Sequence, residues 1–505
     1  MSKRLHPTSD PSSSAESTRT GTPAVVEAAR RIPVAGTYDV AVVGAGLSGL
    51  IAAIAAGRAG ASTVVLDRFG MVGGNLGPAM IVGGSVAGEA PVTLPGGIAG
   101  IPRELVEAME RLKLPAAHRY ADETNIIPYL GTRWAREAGV DLLLPVWAAD
   151  PIVEDGAVTG LFVEGKGGRV ALRATVVIDA SADADVCRRA GVPVVTDQAP
   201  DPNWPVIGKH RLDPAYVPWN DTAIYFVAGG VDFARFRAFA EGAATLSDED
   251  ERWLDEMGQF PISTQRFERP MVPLLRRAWQ DGSFRLYKSV DEHVHLTTPN
   301  IWKGPFDGGL AGSRINLAGA IRRDDMWQHA RLETEIRQHV FETVQFYRAH
   351  VPGFEQAYLL ITAPYFGSRG GPHIDAEYTI TPYDVFEGRR FDDVVFVNTH
   401  SAQPQWGGAP AGFDTPYRTL IPRGLDGLMA TGRASGYLRR GHDPGSVRAR
   451  PALLQLGEVC GLAAAMAVRS GVPPRALDVK PLQRELVARG FHLGDPERLR
   501  ELGLD

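Results

Sequence analysis

The sequence predicts an α/β protein of two interleaved domains, one built on a parallel sheet and the other on mixed helices and strands. An apolar run at residues 40–43 leads through a glycine-rich turn and an alanine-rich helical stretch to a second apolar run at 63–66. A further buried-type run at 174–179 ends in small and acidic residues. Such runs are typical of parallel strands covered on both faces. A proline-rich segment at 199–218 then marks a change of domain, after which the pattern is mixed.

The turn after the first run reads G-A-G-L-S-G from residue 44 to residue 49, and the second run is followed by Asp67. Gly44 permits the tight turn, Gly46 lets backbone N–H groups approach a pyrophosphate, and Gly49 permits close helix–strand contact. Asp67 can accept hydrogen bonds from a ribose diol, and the helix N-terminus adds partial positive charge under the phosphates. A lone G-x-G-x-x-G is weak evidence, but here strand, glycines, helix, strand and acid occur in order. The sequence therefore predicts a dinucleotide site.

The loop after Asp67 supplies further predicted cofactor contacts. It contains Arg68, the glycine pair Gly73-Gly74 and Asn75. The two glycines can bring backbone N–H groups to a phosphate, with a flexible surface loop as the alternative. Residues 77–100 continue glycine- and proline-rich, too long for a plain connector, and indicate loops that cover a cofactor.

Periodicity and turn residues predict the remaining elements. Helices are expected at residues 103–113, 126–138, 233–241, 270–280 and 324–350. Strands are expected at residues 140–144, 151–154, 158–163, 170–179, 224–228 and 293–297. Those from 140 to 179 are expected to form an antiparallel unit with glycine-rich turns. A small-residue helix is expected through Gly457 and Gly461, packed closely on the sheet.

Composition narrows the function classes. The chain has 505 residues, of which 44% are hydrophobic and 22% charged, as in ordinary globular proteins. A formal charge of −6 argues against a nucleic-acid surface. Cys187 and Cys460 cannot supply a disulfide framework or a zinc site unaided, and no apolar run reaches the length of a membrane span. Residues 1–36, rich in Ser, Thr, Pro and Ala, are expected to be a disordered leader without a secretory signal, so a cytoplasmic location is expected.

The last third of the chain carries a succession of motif blocks. They lie at residues 378–385, 391–400, 416–422, 427–433 and 445–448. Together with the glycine turn and Gly73-Gly74, this succession resembles the FAD-dependent oxidoreductase family that has the two-dinucleotide-binding-domain, glutathione-reductase-like flavin fold. The resemblance covers about residues 38–195 and 365–490, and the middle of the chain carries no matching motif.

The resemblance implies FAD as the cofactor and a discontinuous Rossmann-like FAD-binding domain. That domain would comprise residues 37–198 and 415–505, with residues 199–414 inserted as a mixed α+β substrate or cap domain. It implies that the first glycines and Asp67 hold the ADP half, and that Gly73 and Gly74 approach the pyrophosphate or ribityl chain. The flavin end would be lined by Gly432, Arg433, Ser446 and Val447.

Flavin chemistry requires from the protein a positioned substrate and a group that manages a proton. His400 is the first predicted acid or base, because imidazole can do either near neutral pH, and His373 is the second. A structural histidine is the alternative for both. Asn398 stands where the family often has an acid, which would leave His400 a weaker base. Arg418 is predicted to bind a carboxylate or polarise a carbonyl, with a buried salt bridge as an equal alternative.

The resulting hypothesis is an FAD-dependent dehydrogenase or oxidase that oxidises or reduces a small organic substrate by hydride transfer to or from the flavin. A flavin-dependent monooxygenase and, from another class, a non-redox nucleotide-binding protein are the alternatives. His293 and His295 lack a third ligand of matching spacing, so no metal is expected. The electron acceptor, oxygen or another carrier, and the oligomeric state, with a homo-oligomer among the options, stay open.

Overall fold

Two large sheets organise the chain. The computed structural model describes residues 25–81, 86, 94–112, 119–195, 222–242, 245–257, 269–285, 288–291, 294–296, 300–301, 309–319, 321–322, 324–368, 371–399, 411–437 and 449–504. Each large sheet has seven strands, and two smaller sheets have two strands each. Helices pack against both large sheets, so the predicted α/β class is confirmed.

The first sheet has a parallel centre and an antiparallel edge. Its strands are β1 (Val34–Val43), β2 (Thr63–Leu66), β3 (Asp141–Leu143), β4 (Trp147–Glu154), β5 (Ala157–Gly165), β6 (Gly168–Asp179) and β18 (Leu428–Ala430). The order is β3-β2-β1-β6-β5-β4, with β18 also paired to β6. The pairs β1–β2, β1–β6, β2–β3 and β6–β18 are parallel, whereas β4–β5 and β5–β6 are antiparallel. This arrangement confirms the predicted parallel sheet and, for the strands between residues 151 and 179, the predicted antiparallel unit. The strand at 140–144 was expected in that unit, which is wrong, because β3 pairs in parallel with β2.

Strand β18 makes the first domain discontinuous in sequence. β5 pairs with residues 168–173 of β6, and β18 then pairs with Val177–Asp179 of the same strand. A segment from the last fifth of the chain thus completes a sheet that begins at Val34. The first three residues of β1 lie in the segment that the sequence assigns to a leader.

The helices of this half surround the sheet. They are α1 (Leu47–Arg58), α2 (Gly100–Leu112), α3 (Arg119–Glu137), α4 (Asp185–Arg189), α9 (Pro382–Glu387), α10 (Arg450–Ser470), α11 (Val479–Ala488) and α12 (Pro496–Glu501). Single-turn 3₁₀ helices lie at Tyr417–Leu420, Gly432–Ala434 and Pro474–Ala476.

The tightest helix contact corrects one expectation. A Cβ atom at Gly457 would lie 2.3 Å from the Ser48 carbonyl oxygen, and one at Gly461 would lie 2.1 Å from the Ala52 carbonyl oxygen. Both oxygens belong to α1. The small residues of α10 therefore bring it against a second helix, rather than against the sheet as predicted, because only glycine permits backbone approach at that distance.

α10 is also the one described helix that is long and apolar enough to cross a membrane by length and composition. In its 18-residue apolar window, 83% is buried inside the protein. Its apolar residues therefore contribute to the core between α1 and the sheet.

The second sheet belongs to the mixed half. Its strands are β8 (Thr222–Gly229), β9 (Lys288–Ser289), β10 (Val294–Leu296), β11 (Asn300–Ile301), β12 (Ala311–Gly319), β13 (Tyr358–Thr362) and β14 (Gly367–Ser368). The helices α5 (Phe233–Gly242), α6 (Asp248–Met257), α7 (Val272–Asp281) and α8 (Met326–His350) share its hydrophobic core. A 3₁₀ turn at Arg269–Met271 precedes α7.

Two short sheets of two strands each include the segments by which the chain leaves and re-enters the first half. β7 (Val194–Val195) pairs with β15 (His373–Ile374), and β16 (Val394–Asn398) pairs with β17 (Phe413–Pro416). Ile380, Val394 and Phe396 are buried in the core of the first half. The domain boundaries at 198 and 414 stay predictions.

Candidate functional site

A cleft opens at the carboxyl ends of β1, β2, β6 and β18. It holds about 1270 Å³ of space that is continuous with solvent at its mouth. Ligands of open α/β sheets bind at this edge, where the loops that follow parallel strands meet. The predicted cofactor residues that line it are Gly44, Gly46, Gly49, Asp67, Arg68, Gly74, Asn75, Gly432 and Arg433.

The glycine turn has two packed members and one open member. Gly44 has a φ of +102°, and a Cβ there would lie 2.4 Å from the Ala180 carbonyl oxygen. A Cβ at Gly49 would lie 1.9 Å from the Gly44 carbonyl oxygen. At Gly46 the nearest atom to a Cβ would be the Gly74 Cα, at 3.9 Å. Gly44 and Gly49 thus close the turn on itself, while Gly46 leaves the backbone accessible from the cleft.

The N-terminus of α1 points its backbone donors toward this opening. Gly46 is the N-cap, and no side chain caps the helix. The first turn of a helix leaves N–H groups without intrahelical acceptors, and these bind anions well. The turn therefore has the donors that a pyrophosphate requires.

The Gly73-Gly74 loop is held directly on the turn. The Gly73 N–H donates to the Ala45 carbonyl oxygen at 2.8 Å. Gly73 itself does not line the cleft, whereas Gly74 does. Gly74 has a φ of +51°, and a Cβ there would lie 2.9 Å from the Gly46 Cα. The Asn75 side-chain amide donates to the Ser368 carbonyl oxygen at 2.7 Å. These contacts fix the loop against the turn and against the second half of the molecule, which disfavours the flexible-loop alternative.

Asp67 is partly buried and directly follows β2. Its Oδ2 atom accepts the Ala45 N–H at 2.7 Å, and its Oδ1 atom accepts the Phe69 N–H at 3.0 Å. Burial raises the pKa of Asp67, although these two N–H groups oppose the shift. Each carboxylate oxygen has a second lone pair, so Asp67 can still accept a hydroxyl from the cleft.

Arg68 is enclosed by aromatic rings. Its guanidinium carbon lies 4.2 Å from the ring centre of Tyr365, 4.9 Å from that of Phe69 and 5.5 Å from that of Trp147. Burial opposes its charge, but the Tyr365 phenol, followed by Asp183, raises the pKa of Arg68. Tyr365 and Trp147 were missed at the sequence level, because a single aromatic residue, in a loop or at the first position of a strand, carries no periodic or spacing signal.

Arg433 reaches the cleft from the C-terminal half. Its Nη1 atom donates to the Ser368 Oγ at 3.0 Å, and its Nη2 atom donates to the Asp183 Oδ1 at 3.3 Å. The arginine side chain is 12% exposed and the aspartate side chain 14% exposed. Gly432, at a φ of +67°, packs where a Cβ would lie 2.9 Å from the Ser48 Oγ. The sequence shows that the run at 174–179 ends in acidic residues, and it predicts Arg433 at the flavin end, but it does not show that Asp183 and Arg433 pair.

Together these residues fit an extended dinucleotide. One end offers a partly buried acid for ribose hydroxyls, the middle offers an uncapped helix N-terminus, and the far end offers a partly buried guanidinium. The Ser48 hydroxyl donates to the Leu453 carbonyl oxygen at 2.8 Å, across 405 positions of sequence. The two ends of the chain therefore meet along one wall of the cleft.

Of the predicted catalytic residues, His373 lies beside the cleft. Its imidazole is buried, and Nδ1 lies 3.0 Å from the Ile374 carbonyl oxygen. Because a carbonyl oxygen only accepts, Nδ1 must carry a proton, which leaves Nε2 of the neutral ring as an acceptor. Two residues earlier, a Cβ at Gly371 would lie 2.5 Å from the Asp183 Oδ1 and 3.3 Å from the Arg433 Nη1. His373 is thus close to the arginine end of the cleft without lining it.

Arg418 is not brought to the cleft. Its Nε atom donates to Asp393 Oδ2 at 2.9 Å and its Nη2 atom to Asp393 Oδ1 at 3.0 Å, so Asp393 raises the pKa of Arg418. The arginine side chain is 47% exposed. Arg418 therefore forms a salt bridge, as the alternative predicted, but near the surface and not in the interior. A substrate contact for Arg418 stays a prediction.

His400, Ser446 and Val447 lie outside the described residues. Both cysteines are buried and unbonded to each other. In the described ranges no cluster of His, Cys, Asp and Glu could hold a metal ion.

Comparisons with known proteins show the family to which the chain belongs. A family model described as FAD dependent oxidoreductase matches residues 39–486. A digeranylgeranylglycerophospholipid reductase from Methanoculleus marisnigri is 29% identical over 174 residues. That match covers 31% of this chain and 42% of the reductase, so the chain aligns with less than half of that relative.

Solved flavoprotein structures resemble the chain more loosely. A geranylgeranyl bacteriochlorophyll reductase-like protein from Thermoplasma acidophilum is 15% identical with a TM-score of 0.37, over 90% of this chain and 84% of that one. A flavin-dependent brominase is 14% identical with a TM-score of 0.38, over 90% of this chain and 83% of that one.

Proposed function

This chain belongs to the FAD-dependent oxidoreductase family and depends on FAD, and from that premise we propose that it transfers a hydride between the flavin and a small organic substrate. The observation that carries the proposal is the single cleft to which Gly46, Asp67, Gly432 and Arg433 all contribute. A non-redox nucleotide-binding role would not need the C-terminal pair at the same cleft. We also propose a glutathione-reductase-like arrangement of the cofactor. Its adenosine end would lie at Asp67 and Gly46, and its flavin end at Gly432 and Arg433.

The residues of the cleft would divide the cofactor between them. Asp67 would accept the ribose hydroxyls, and the first turn of α1, beside Gly46 and Gly74, would donate N–H groups to the pyrophosphate. Arg433, held by Ser368 and Asp183, would place positive charge at the far end. FAD, when bound, supplies the two-electron chemistry, so the protein need only orient the substrate and manage a proton.

His373 is the described residue best placed for the proton. Its Nδ1–H donates to a backbone carbonyl, which fixes the ring and makes Nε2 the basic nitrogen of the neutral imidazole. Its strand adjoins Gly371, which packs against Asp183 and Arg433. His400 and Arg418 remain predicted alternatives, and the direction of hydride transfer and the electron acceptor are open within the proposal.

The first experiment is the absorption spectrum of the purified protein, followed by heat release and identification of the bound cofactor. We expect FAD. A protein that is colourless, and that stays so after incubation with FAD, would contradict the proposed function. Gly46→Val, which places methyl groups in the phosphate path, should abolish FAD binding, whereas Gly70→Val, at a glycine with open space around it, should not.

The second experiment identifies the reaction. The oxidised holoprotein is mixed anaerobically with alcohols, amines and sugars, and one of these classes should bleach the flavin absorption. The reduced holoprotein is mixed with enones, which would reoxidise the flavin if the enzyme is a reductase. Turnover under ¹⁸O₂ then separates the alternatives, since label in the product means a monooxygenase and refutes simple hydride transfer.

A further inference from the structure

One wall of the cofactor cleft is a short loop, residues 74–81, which we call the wall segment. Gly74, Asn75 and Ala79 line the cleft. The segment folds back on itself, because the Ala79 N–H donates to the Gly74 carbonyl oxygen at 3.2 Å and the Ile81 N–H donates to the Asn75 carbonyl oxygen at 2.7 Å. A contact that fixes Ile81 therefore also fixes this wall of the cleft.

The backbone of the wall segment is strained at Met80. Its φ is +51°, in the left-handed region that residues with a Cβ atom rarely adopt. Such strain persists only where the surrounding contacts hold the chain in place. Met80 and Ile81 pack against the hydrophobic core of the second half, and the Asn75 side chain donates to the Ser368 carbonyl oxygen of that half. The wall segment would therefore relax if one of its contacts were removed.

Arg450, the first residue of α10, anchors the end of this segment. Its Nη2 atom donates to the Ile81 carbonyl oxygen at 2.6 Å, and its Nη1 atom donates to the Glu123 Oε2 of α3 at 3.1 Å. The Glu123 Oε1 atom in turn accepts the Val86 N–H at 3.1 Å. The Arg450 side chain is 11% exposed and that of Glu123 is 7% exposed. The ion pair thus joins α10, α3 and the wall segment at a site that is largely shielded from water.

The position of Arg450 is unfavourable for α10 itself. The N-terminus of a helix carries partial positive charge, so a cation there opposes the helix dipole. The first turn of α10 contains no acid that would offset this charge, and Glu123 balances it from another helix. Leu453 lies three residues further on, on the same side of α10, and lines the cleft. Stability of α10 therefore does not explain Arg450, which lies one helical turn from the cofactor cleft.

We propose that Arg450 is a positioning residue for the cofactor, which with Glu123 holds the wall segment against bound FAD and so limits the rate at which FAD leaves. This inference rests on the proposed function, which places FAD in the cleft. Without the guanidinium, the Ile81 carbonyl oxygen loses its donor, and relaxation of Met80 would move Ala79 away from the cleft. A lysine has no planar fork to serve Ile81 and Glu123 together, so it would replace the arginine only in part.

The test is the rate of FAD release. Full-length protein loaded with radiolabelled FAD is chased with excess unlabelled FAD, and the label that stays bound is measured over time. Arg450→Met should raise the dissociation rate about tenfold to a hundredfold, as loss of charge-assisted hydrogen bonds implies, and Arg450→Lys should raise it less. Arg133→Met is the matched control on α3 and should release FAD as the wild type does, because Arg133 pairs with Glu137 at the surface, where its side chain is 56% exposed.

Hydrogen exchange of the FAD-loaded proteins separates positioning from general destabilisation. In Arg450→Met the amides of Ala79 and Ile81 should exchange faster, whereas those of β12 in the second sheet should keep their wild-type rates. An equal rise in β12 would mean that the whole molecule opens, and it would overturn the positioning role.

Wild-type FAD release from folded, FAD-loaded Arg450→Met would overturn the role as well. These readings all require bound FAD, so they are distinct from the failure of the proposed function, which is a wild type that does not bind FAD. Should Arg450→Met not fold, the double variant with Glu123→Gln decides, because it leaves no unpaired buried charge and keeps an acceptor for the Val86 N–H. It should release FAD as fast as is expected of Arg450→Met.

Discussion

At the cleft, charge is carried by side chains that come from distant parts of the chain. Arg433 and Asp183 are 250 positions apart, and both are largely buried. A buried ion pair is costly to break, because the remaining charge loses its partner away from water. Arg433 therefore depends on Asp183 and Ser368 for its position, and the far end of the cleft depends on Arg433 for its positive charge.

Replacing Arg433 by methionine should weaken FAD binding by about tenfold to a hundredfold, the range expected for loss of charge-assisted hydrogen bonds. Asp183→Asn keeps an acceptor for the guanidinium, so its loss of affinity should be smaller. Titration of the apoprotein with FAD measures both. Arg423→Met is the control, since Arg423 pairs with Asp375 at the surface, where its side chain is 55% exposed. Wild-type affinity in Arg433→Met would exclude a role for this residue in holding FAD.

The residues that were predictable from sequence act through backbone geometry. Gly44 and Gly49 could be assigned because any Cβ at those positions collides with neighbouring backbone, and Asp67 because it ends a strand. Tyr365 could not be assigned, since its contact with Arg68 arises only when the second half of the molecule packs on the first. Arg418 was assigned to the site from its residue type, whereas its pairing with Asp393 outside the cleft is visible only in the folded chain.

Among the elements, α1 and α10 form the closest helix pair. The glycines of α10 face the carbonyl oxygens of α1, and the first turn of α1 provides the donors at the cleft. Any substitution that separates these helices moves the phosphate-binding turn as well. Sequence predicted both helices from their small residues, but not that they pack on each other, since a small-residue face fits a sheet equally well.

Gly461→Ala should lower the free energy of unfolding by about 1 to 3 kcal/mol or more, because the new methyl group meets backbone rather than a movable side chain. Urea unfolding measures the change. Gly167→Ala, at a turn glycine with nothing within 4 Å of a Cβ, should change stability by less than about 0.5 kcal/mol. A stable Gly461→Ala protein would mean that α10 can move away from α1 without cost.

α10 also carries a buried acid, Glu458, at its junction with α2. Its Oε2 atom accepts the Ile101 N–H at 2.7 Å, and its Oε1 atom accepts from the Arg489 Nη1 at 3.1 Å. The side chain is 0% exposed, and burial raises the pKa of Glu458 to about 7, against the opposing effect of those two donors. The folded state therefore holds a proton on Glu458 at pH values at which the unfolded chain has released it.

The resulting pH dependence has a definite sign. Stabilisation by the protonated Glu458 is present below the unfolded pKa of 4.5 and is lost as the pH rises to about 7, a change of about 3 kcal/mol. Glu458→Gln should flatten the unfolding free energy across this window in urea titrations. Glu485→Gln, which removes an exposed acid from the same arginine, should keep the wild-type slope. An unchanged slope in Glu458→Gln would assign the pH dependence to other groups.

On the scale of the whole molecule, the two halves are interleaved rather than consecutive. The predicted parallel sheet and mixed half are present, whereas the antiparallel unit lacks the strand at 140–144, which belongs to the parallel centre. The strand β18 was within a motif block but was not predicted as a member of the first sheet, because a three-residue strand has too little periodicity to assign. So short a strand is positioned by its partner, which here is the free edge of β6 at Val177–Asp179.

Removal of FAD should affect both ends of the chain together. At a free FAD concentration of 100 times its Kd, binding adds about 2.7 kcal/mol to the free energy of unfolding. Hydrogen exchange of the apoprotein should show faster exchange in the turn at residues 44–49 and in the segment at 428–434, with less change in β8 and β12. Faster exchange confined to the first turn would contradict a cofactor that spans both segments.

The position of β18 also has a consequence for synthesis on the ribosome. The carboxyl-terminal edge of β6 lacks its neighbour until about 250 further residues have been translated, which takes about 12 to 50 s at 5–20 residues per second. During that interval the backbone groups of Val177–Asp179 on the β18 side lack their strand partner, next to the glycine turn of the nucleotide site. Premature termination anywhere in the mixed half should therefore yield an aggregation-prone fragment and not a smaller working protein.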